Sequence, residues 1–284
     1  MRNLPGSLKV FALILCAAVA IACGVETARA KAARRVTTAS SIAPAQRRPV
    51  VVELFTSEGC SDCPPADELL KNLELQQPIP RVEVIAIEEH VDYWNHDGWV
   101  DPFSSPEWTL RQQDYVEKLR TGTEYTPQMV VDGESQLVGS FAAAAERTIE
   151  IASLSPQVTV KLAPGSVDDQ DAQDFSVSVS NLTAAKAQGD ADVWLAVTED
   201  GLHSSVSAGE NAGHQLYHAA VLRSLRKVGV AKTNSQNGFS GSARVKFNSH
   251  WNRANLRVVA FVQEKHSLKI LGAASTQVTS SAHN

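Results

Sequence analysis

Phe55-Thr56-Ser57-Glu58-Gly59-Cys60-Ser61-Asp62-Cys63-Pro64-Pro65 is the stretch on which the fold of this chain turns. It sets two cysteines three positions apart, after the β-branched run Val50-Val51-Val52-Glu53-Leu54-Phe55. Beyond them Ala66, Leu69, Leu70 and Leu73 repeat at helical spacing. A thiol pair between a buried strand and a helix N-terminus suits thiol–disulfide exchange, because the amide N–H groups and dipole there favour a thiolate. Zinc sites also use C-x-x-C, but zinc normally takes a second pair of ligands at short spacing, and no cysteine follows Cys63. A bond kept for stability alone would join distant segments. Closing so short a loop removes roughly 2 kcal/mol of unfolded-state entropy, against about 4.7 for a 100-residue loop.

Upstream, Arg2 and Lys9 precede an apolar run from Val10 to Cys23, and Ala28-Arg29-Ala30 offers an A-x-A cleavage site. The run is too short to span a bilayer comfortably and reads as a secretory signal peptide over residues 1–30. Lipidation at Cys23 is the weaker alternative, since the leucine usual three positions upstream is missing. Cleavage discards Cys16 and Cys23 and leaves one dithiol. It also removes Arg2, Lys9, Arg29 and Glu26, moving the formal charge from −5 to −7. That balance argues against nucleic acid or anionic lipid as the main partner. Export points to a periplasmic or secreted protein, where disulfides persist, with no integral membrane segment once the signal is removed.

Residues 31–48 are rich in Ala, Arg, Ser and Thr without apolar period and read as a flexible tether. From Pro49 the pattern predicts strand, helix, a second strand from Arg81 to Glu88, and a helix opened by Ser105-Pro106-Glu107. A hairpin turning at Asp132-Gly133 follows, then an Ala-rich helix from Ala142. This β-α-β-α-β-β-α order is that of a thioredoxin-like domain, placed at 49–155, and Thr126-Pro127 stands where such a domain carries a cis-proline facing its dithiol. After Ser155-Pro156 the period becomes two: Val158/Val160/Leu162, Phe175/Val177/Val179, Val193/Leu195/Val197, Phe239/Ala243/Val245/Phe247 and Leu256/Val258/Ala260/Val262. The expected fold class is therefore an α/β thioredoxin-like domain followed by an all-β immunoglobulin-like sandwich domain at 156–278, with a tail at 279–284.

A second cluster, His90-Val91-Asp92-Tyr93-Trp94-Asn95-His96-Asp97-Gly98-Trp99 and then Asp101-Pro102-Phe103, follows the second strand. Such a loop lies near the carboxyl edge of an α/β sheet, where ligands bind. His90, Asp92, Tyr93 and Trp94 are candidates for a substrate-receiving rim. A self-packed loop is the alternative. Gly209-Glu210-Asn211-Ala212-Gly213-His214 and His218 read as a solvated loop with a satisfied histidine rather than a ligand site.

Val52 to Asp67, His90 to Trp94, Gly98-Trp99, Asp101 to Ser104 and Tyr125 to Gly133 together resemble a bacterial family of secreted thioredoxin-like proteins known as domain of unknown function 1223. The resemblance is sharpest over residues 48–155. It implies an exported thioredoxin-like fold and supplies no activity. The expected function is an exported thiol–disulfide oxidoreductase in which Cys60 is the nucleophile, Cys63 the resolving thiol and disulfide partner, and Pro127 with Thr126 shapes the substrate groove. The partner would be a disulfide-bearing envelope protein or a small thiol. No cofactor and no metal are expected. Two rival readings are a metallochaperone using both thiolates with His90 or His96, and a non-catalytic envelope-binding protein.

Overall fold

The computed structural model describes residues 47–168, 171–183, 185–233 and 238–279. The expected signal peptide with Cys16 and Cys23, and nearly all of the expected tether and tail, lie outside these residues. Among the described residues no helix is long and apolar enough to cross a membrane.

The elements run β1 (Arg48–Thr56), α1 (Pro64–Gln76), β2 (Val82–His90), α2 (Pro106–Leu119), β3 (Gln128–Val131), β4 (Ser135–Val138) and α3 (Ala142–Ser153). They continue as β5 (Thr159–Asp168), β6 (Ala172–Ser180), β7 (Ala191–Glu199), β8 (Leu202–Ser205), β9 (Gln215–His218), β10 (Val221–Ala231), β11 (Phe239–Lys246), β12 (Leu256–Glu264) and β13 (Ile270–Gln277). α2 begins as its sequence predicts: Pro106 occupies the first turn and the Ser105 hydroxyl accepts from Glu107 N–H at 3.2 Å.

The expected fold class is corrected by the sheet order. A single eight-stranded mixed sheet, β13-β12-β7-β10-β2-β1-β3-β4, runs through both halves of the chain, beside a three-stranded sheet β11-β6-β5 and the hairpin β8-β9. The molecule is therefore not a thioredoxin-like α/β domain followed by an immunoglobulin-like sandwich. The join is a parallel contact between β2 and β10, with Val221 opposite Glu88 and Glu88 N–H donating to the Ala220 carbonyl at 2.9 Å.

Burial explains why the strands merge. In β1, Val50, Val52 and Leu54 pack under α1 and α3 with Leu70, Leu73 and Ile149. Val51 points the other way, and with Ile85, Ile87 and Trp108 it packs against Ala196, Val259 and Phe261 of β7 and β12. Those later strands in turn set Val193, Leu195, Val258 and Val262 against Phe175, Val177 and Val179 of the small sheet. Strands apolar on both faces belong in a sheet covered on both sides. A polar seam crosses the same join: Gln263 of β12 donates to the Tyr115 hydroxyl of α2 at 2.8 Å, and Tyr115 donates to Glu53 of β1 at 2.5 Å.

Candidate functional site

Cys60 and Cys63 form a disulfide. Cys63 is the N-cap of α1 and its carbonyl accepts from Ala66 and Asp67 N–H. Pro64 and Pro65 fill the first two positions, where a missing N–H leaves no helical bond unmade. Cys60 Sγ lies 3.9 Å from the Thr126 carbonyl, beside the cis Thr126–Pro127 bond. Trp94 closes one flank: its indole N–H donates to Thr126 Oγ1 at 2.8 Å, and its Cβ would stand 3.0 Å from any Cβ added at Gly59. The pair is covered, Cys60 being 2% exposed and Cys63 fully buried.

The cover comes from the far half of the chain. The Asn211 side-chain amide donates to the carbonyls of Glu58 and Cys60 at 2.9 and 3.0 Å, and the Glu210 carboxylate accepts from Ser61 N–H at 3.0 Å. Both residues sit in the turn between β8 and β9, which places His218, the last residue of β9, behind the dithiol loop.

There a buried polar network forms. His218 Nε2 meets Glu58 Oε1 at 3.1 Å and its Nδ1 meets Glu88 Oε1 at 2.9 Å. Trp99 donates to the other Glu58 oxygen at 2.8 Å. His90 Nδ1 meets Asp101 Oδ2 at 2.7 Å, and that oxygen also accepts from Glu58 N–H at 2.8 Å. Thr56 donates to Asp67 Oδ1 at 2.6 Å one helical turn beyond Cys63.

Burial disfavours every charge here, and the pairing decides which survive. Burial alone would lower both imidazoles. Against it, the Asp101 carboxylate holds His90 well above the usual range, and Glu88 with Glu58 holds His218 up to about 9. Burial would raise Glu88, but the charge and hydrogen bond of His218 bring it down to about 2. Asp67 is pushed up to about 7, first by burial and then by the Glu88 charge. Asp101 stays below the carboxylate range because His90 and two backbone N–H groups outweigh its burial.

The candidates named from sequence are brought together in part. Cys60, Cys63, Thr126, Pro127 and Trp94 converge. His90 is fully buried under the dithiol loop. Asp92 turns to α2, accepting from Thr109 at 2.6 Å, and Tyr93 donates to Gln112 at 3.1 Å. His96 is 76% exposed and pairs with Asp97, away from buried His90. The loop read as solvated is corrected in its burial, since Asn211 and His218 are buried against the dithiol segment, while the satisfied histidine is found in His218, bonded to Glu58 and Glu88. His214 and His218 form an H-x-x-x-H spacing that could have drawn attention to it, although His214 itself is exposed.

A family profile described as "Protein of unknown function (DUF1223)" matches residues 51–263. No curated protein matches the chain. Among solved structures, protein AGR_C_4864 from Agrobacterium tumefaciens is 24% identical, covers 84% of this chain and 98% of its own, and superposes with a TM-score of 0.59. HBP35 of Porphyromonas gingivalis is 16% identical, covers 85% of this chain and 80% of its own, and gives a TM-score of 0.61. At these identities the likeness concerns the fold.

Proposed function

This chain belongs to the DUF1223 family, and from the dithiol it carries we propose that it is an exported thiol–disulfide oxidoreductase acting on a disulfide-bearing envelope protein or a small thiol. The observation that supports this most is the setting of Cys60–Cys63: a redox-closed pair at a helix N-terminus, beside the Thr126–Pro127 backbone. In the reduced protein the Cys60 thiolate attacks one sulfur of the partner disulfide. A mixed disulfide forms and the partner's other sulfur leaves as a thiolate. Cys63, as thiolate, then attacks Cys60 Sγ, expels the second partner sulfur and closes Cys60–Cys63. Two electrons pass to the partner, and the reverse sequence oxidises a partner dithiol. Cys60 is 2% exposed, so a partner reaches Sγ when the segments packed on it, the turn bearing Glu210 and Asn211 or the Trp94 flank, move aside. The location proposed is periplasmic or secreted, on the signal peptide read at residues 1–30.

The test is trapping. Reduced Cys63→Ala protein incubated with envelope extract is expected to accumulate adducts released by dithiothreitol, and Cys60→Ser to accumulate none. No adducts with Cys63→Ala, together with no reduction of insulin or of oxidised glutathione by the wild type, would overturn the reading.

A further inference from the structure

Behind the dithiol, Glu88, His90 and His218 aim three ligand-capable atoms at one point, and these atoms all lie within 4.8 Å of one another. All three side chains are buried. Glu88 Oε1 is shared: His218 Nδ1 stands 2.9 Å from it and His90 Nε2 stands 3.6 Å from it. The second distance is too long for a hydrogen bond, and His90 Nε2 has no hydrogen-bond partner although it is buried. A buried ring nitrogen that reaches only a 3.6 Å ion pair with Glu88 and no hydrogen bond is costly and calls for an occupant.

The far sides of the two rings carry the more telling pattern. His90 gives its other nitrogen, Nδ1, to the Asp101 carboxylate at 2.7 Å, and His218 gives its other nitrogen, Nε2, to the Glu58 carboxylate at 3.1 Å. A carboxylate behind each imidazole orients the ring and turns the opposite nitrogen inward, the outer arrangement found behind metal-ligating histidines, and a bound cation would displace the proton from that inner nitrogen. The shared Glu88 is anchored in the same way, its second oxygen accepting from Ala219 N–H at 3.2 Å. Glu58, Glu88 and Asp101 surround the point with enough anionic charge to balance a divalent cation.

We propose that Glu88, His90 and His218 form a divalent transition-metal site of zinc type, with Asp101 and Glu58 as the outer carboxylates that orient the two histidines. Two imidazole nitrogens and one carboxylate oxygen suit Zn(II) and leave a further position of its tetrahedron for water. The site is independent of the cysteines, which remain disulfide-bonded beside it, and so independent of the oxidoreductase reading. It ties residues 88–90 to residue 218, so the ion would pin the β8-β9 hairpin over the dithiol.

The experiment uses the full chain carrying Cys16→Ser/Cys23→Ser/Cys60→Ser/Cys63→Ser, so that no thiolate can bind. The protein is stripped with a chelator and titrated with Zn(II) against a chromophoric competitor, then with Co(II) by absorption spectroscopy. Expected are one ion per chain, a Co(II) d–d spectrum of near-tetrahedral N/O type, and a rise in melting temperature with Zn(II). His218→Gln is expected to weaken binding at least 100-fold, and Asp101→Asn about 10- to 100-fold. Substoichiometric binding, or tight binding unchanged in His90→Gln and His218→Gln, overturns the site. Should those variants fail to fold, the parent protein decides: neither a Co(II) spectrum nor a Zn(II)-dependent melting shift also overturns it.

Discussion

At the scale of single residues, Asn211 is the side chain that most directly couples the two halves of the chain to the dithiol. Its amide satisfies two buried carbonyls, those of Glu58 and Cys60. Asn211→Ala leaves the Glu58 carbonyl without a donor and the Cys60 carbonyl with Cys63 N–H alone, at a cost of about 1–3 kcal/mol, and loosens the contact over Cys60. Two outcomes are expected together: a lower midpoint in guanidinium denaturation and several-fold faster reduction of Cys60–Cys63 by dithiothreitol. An unchanged reduction rate would mean that this turn does not gate access. Asp132 supports a pH prediction. Burial pushes its carboxyl from 3.8 up to about 7, even though Val51 N–H and Lys269 pull the other way. The folded protein thus holds this proton more tightly than the unfolded chain, so ionisation weakens the fold, fully above about pH 7 and not at all below about pH 4. Asp132→Asn keeps an acceptor for Val51 N–H, 2.8 Å away, and suits the left-handed φ of 45° there. It is expected to stabilise the protein by up to about 4 kcal/mol near pH 8, with the gain fading towards pH 4, as measured by thermal melts across that range.

At the scale of elements, the sequence was most legible where periodicity is clean. The run Val50 to Phe55, the strand beginning near Arg81, the Ser105-Pro106 helix start and the Asp132-Gly133 turn all stand in the structure where their local chemistry places them. The dithiol and its Thr126-Pro127 neighbour were equally legible, because short-range chemistry marks them. Four strands were not, β8, β9, β10 and β13, and the last two show why. In β10, register shifts between Leu222 and Ser224 and between Lys227 and Gly229 interrupt the alternation along Val221–Ala231, as an extra residue in a strand must. β13 reads Ile-Leu-Gly-Ala-Ala-Ser-Thr-Gln, small and mixed, with only its first half buried. β10 is the strand that welds the halves into one sheet, so missing it left two apparent domains. The buried network was hidden for a related reason: Glu58, Glu88, Asp101 and His218 acquire meaning only when a strand 130 residues from Glu88 arrives beside it.

At the scale of the whole molecule, one sheet with a shared core should unfold as one unit. Val51, Ile85 and Ile87 are covered by Ala196, Val259 and Phe261, so the first half does not complete its own core. Full-length protein is expected to show a single denaturation transition reported identically by far-UV dichroism and tryptophan fluorescence. A fragment ending at residue 155 is expected to bind an apolar dye and to melt without cooperativity, since it exposes that apolar face to water. Two resolved transitions in the intact chain, or a cooperatively melting fragment, would count against a shared core.

The β2-β10 contact carries a consequence for the order of events in time. Its strands are parallel, so no hairpin can nucleate it, and the Glu88 side-chain bonds beside it, to His218 and to Ala219 N–H, join residues 130 and 131 positions apart. Closing so long a loop comes late, after the local hairpins and the strands flanking the join have formed. During refolding the cysteines therefore stand uncovered while most of the sheet already exists, and the chain passes through an interval in which its dithiol is open to any oxidant or thiol nearby.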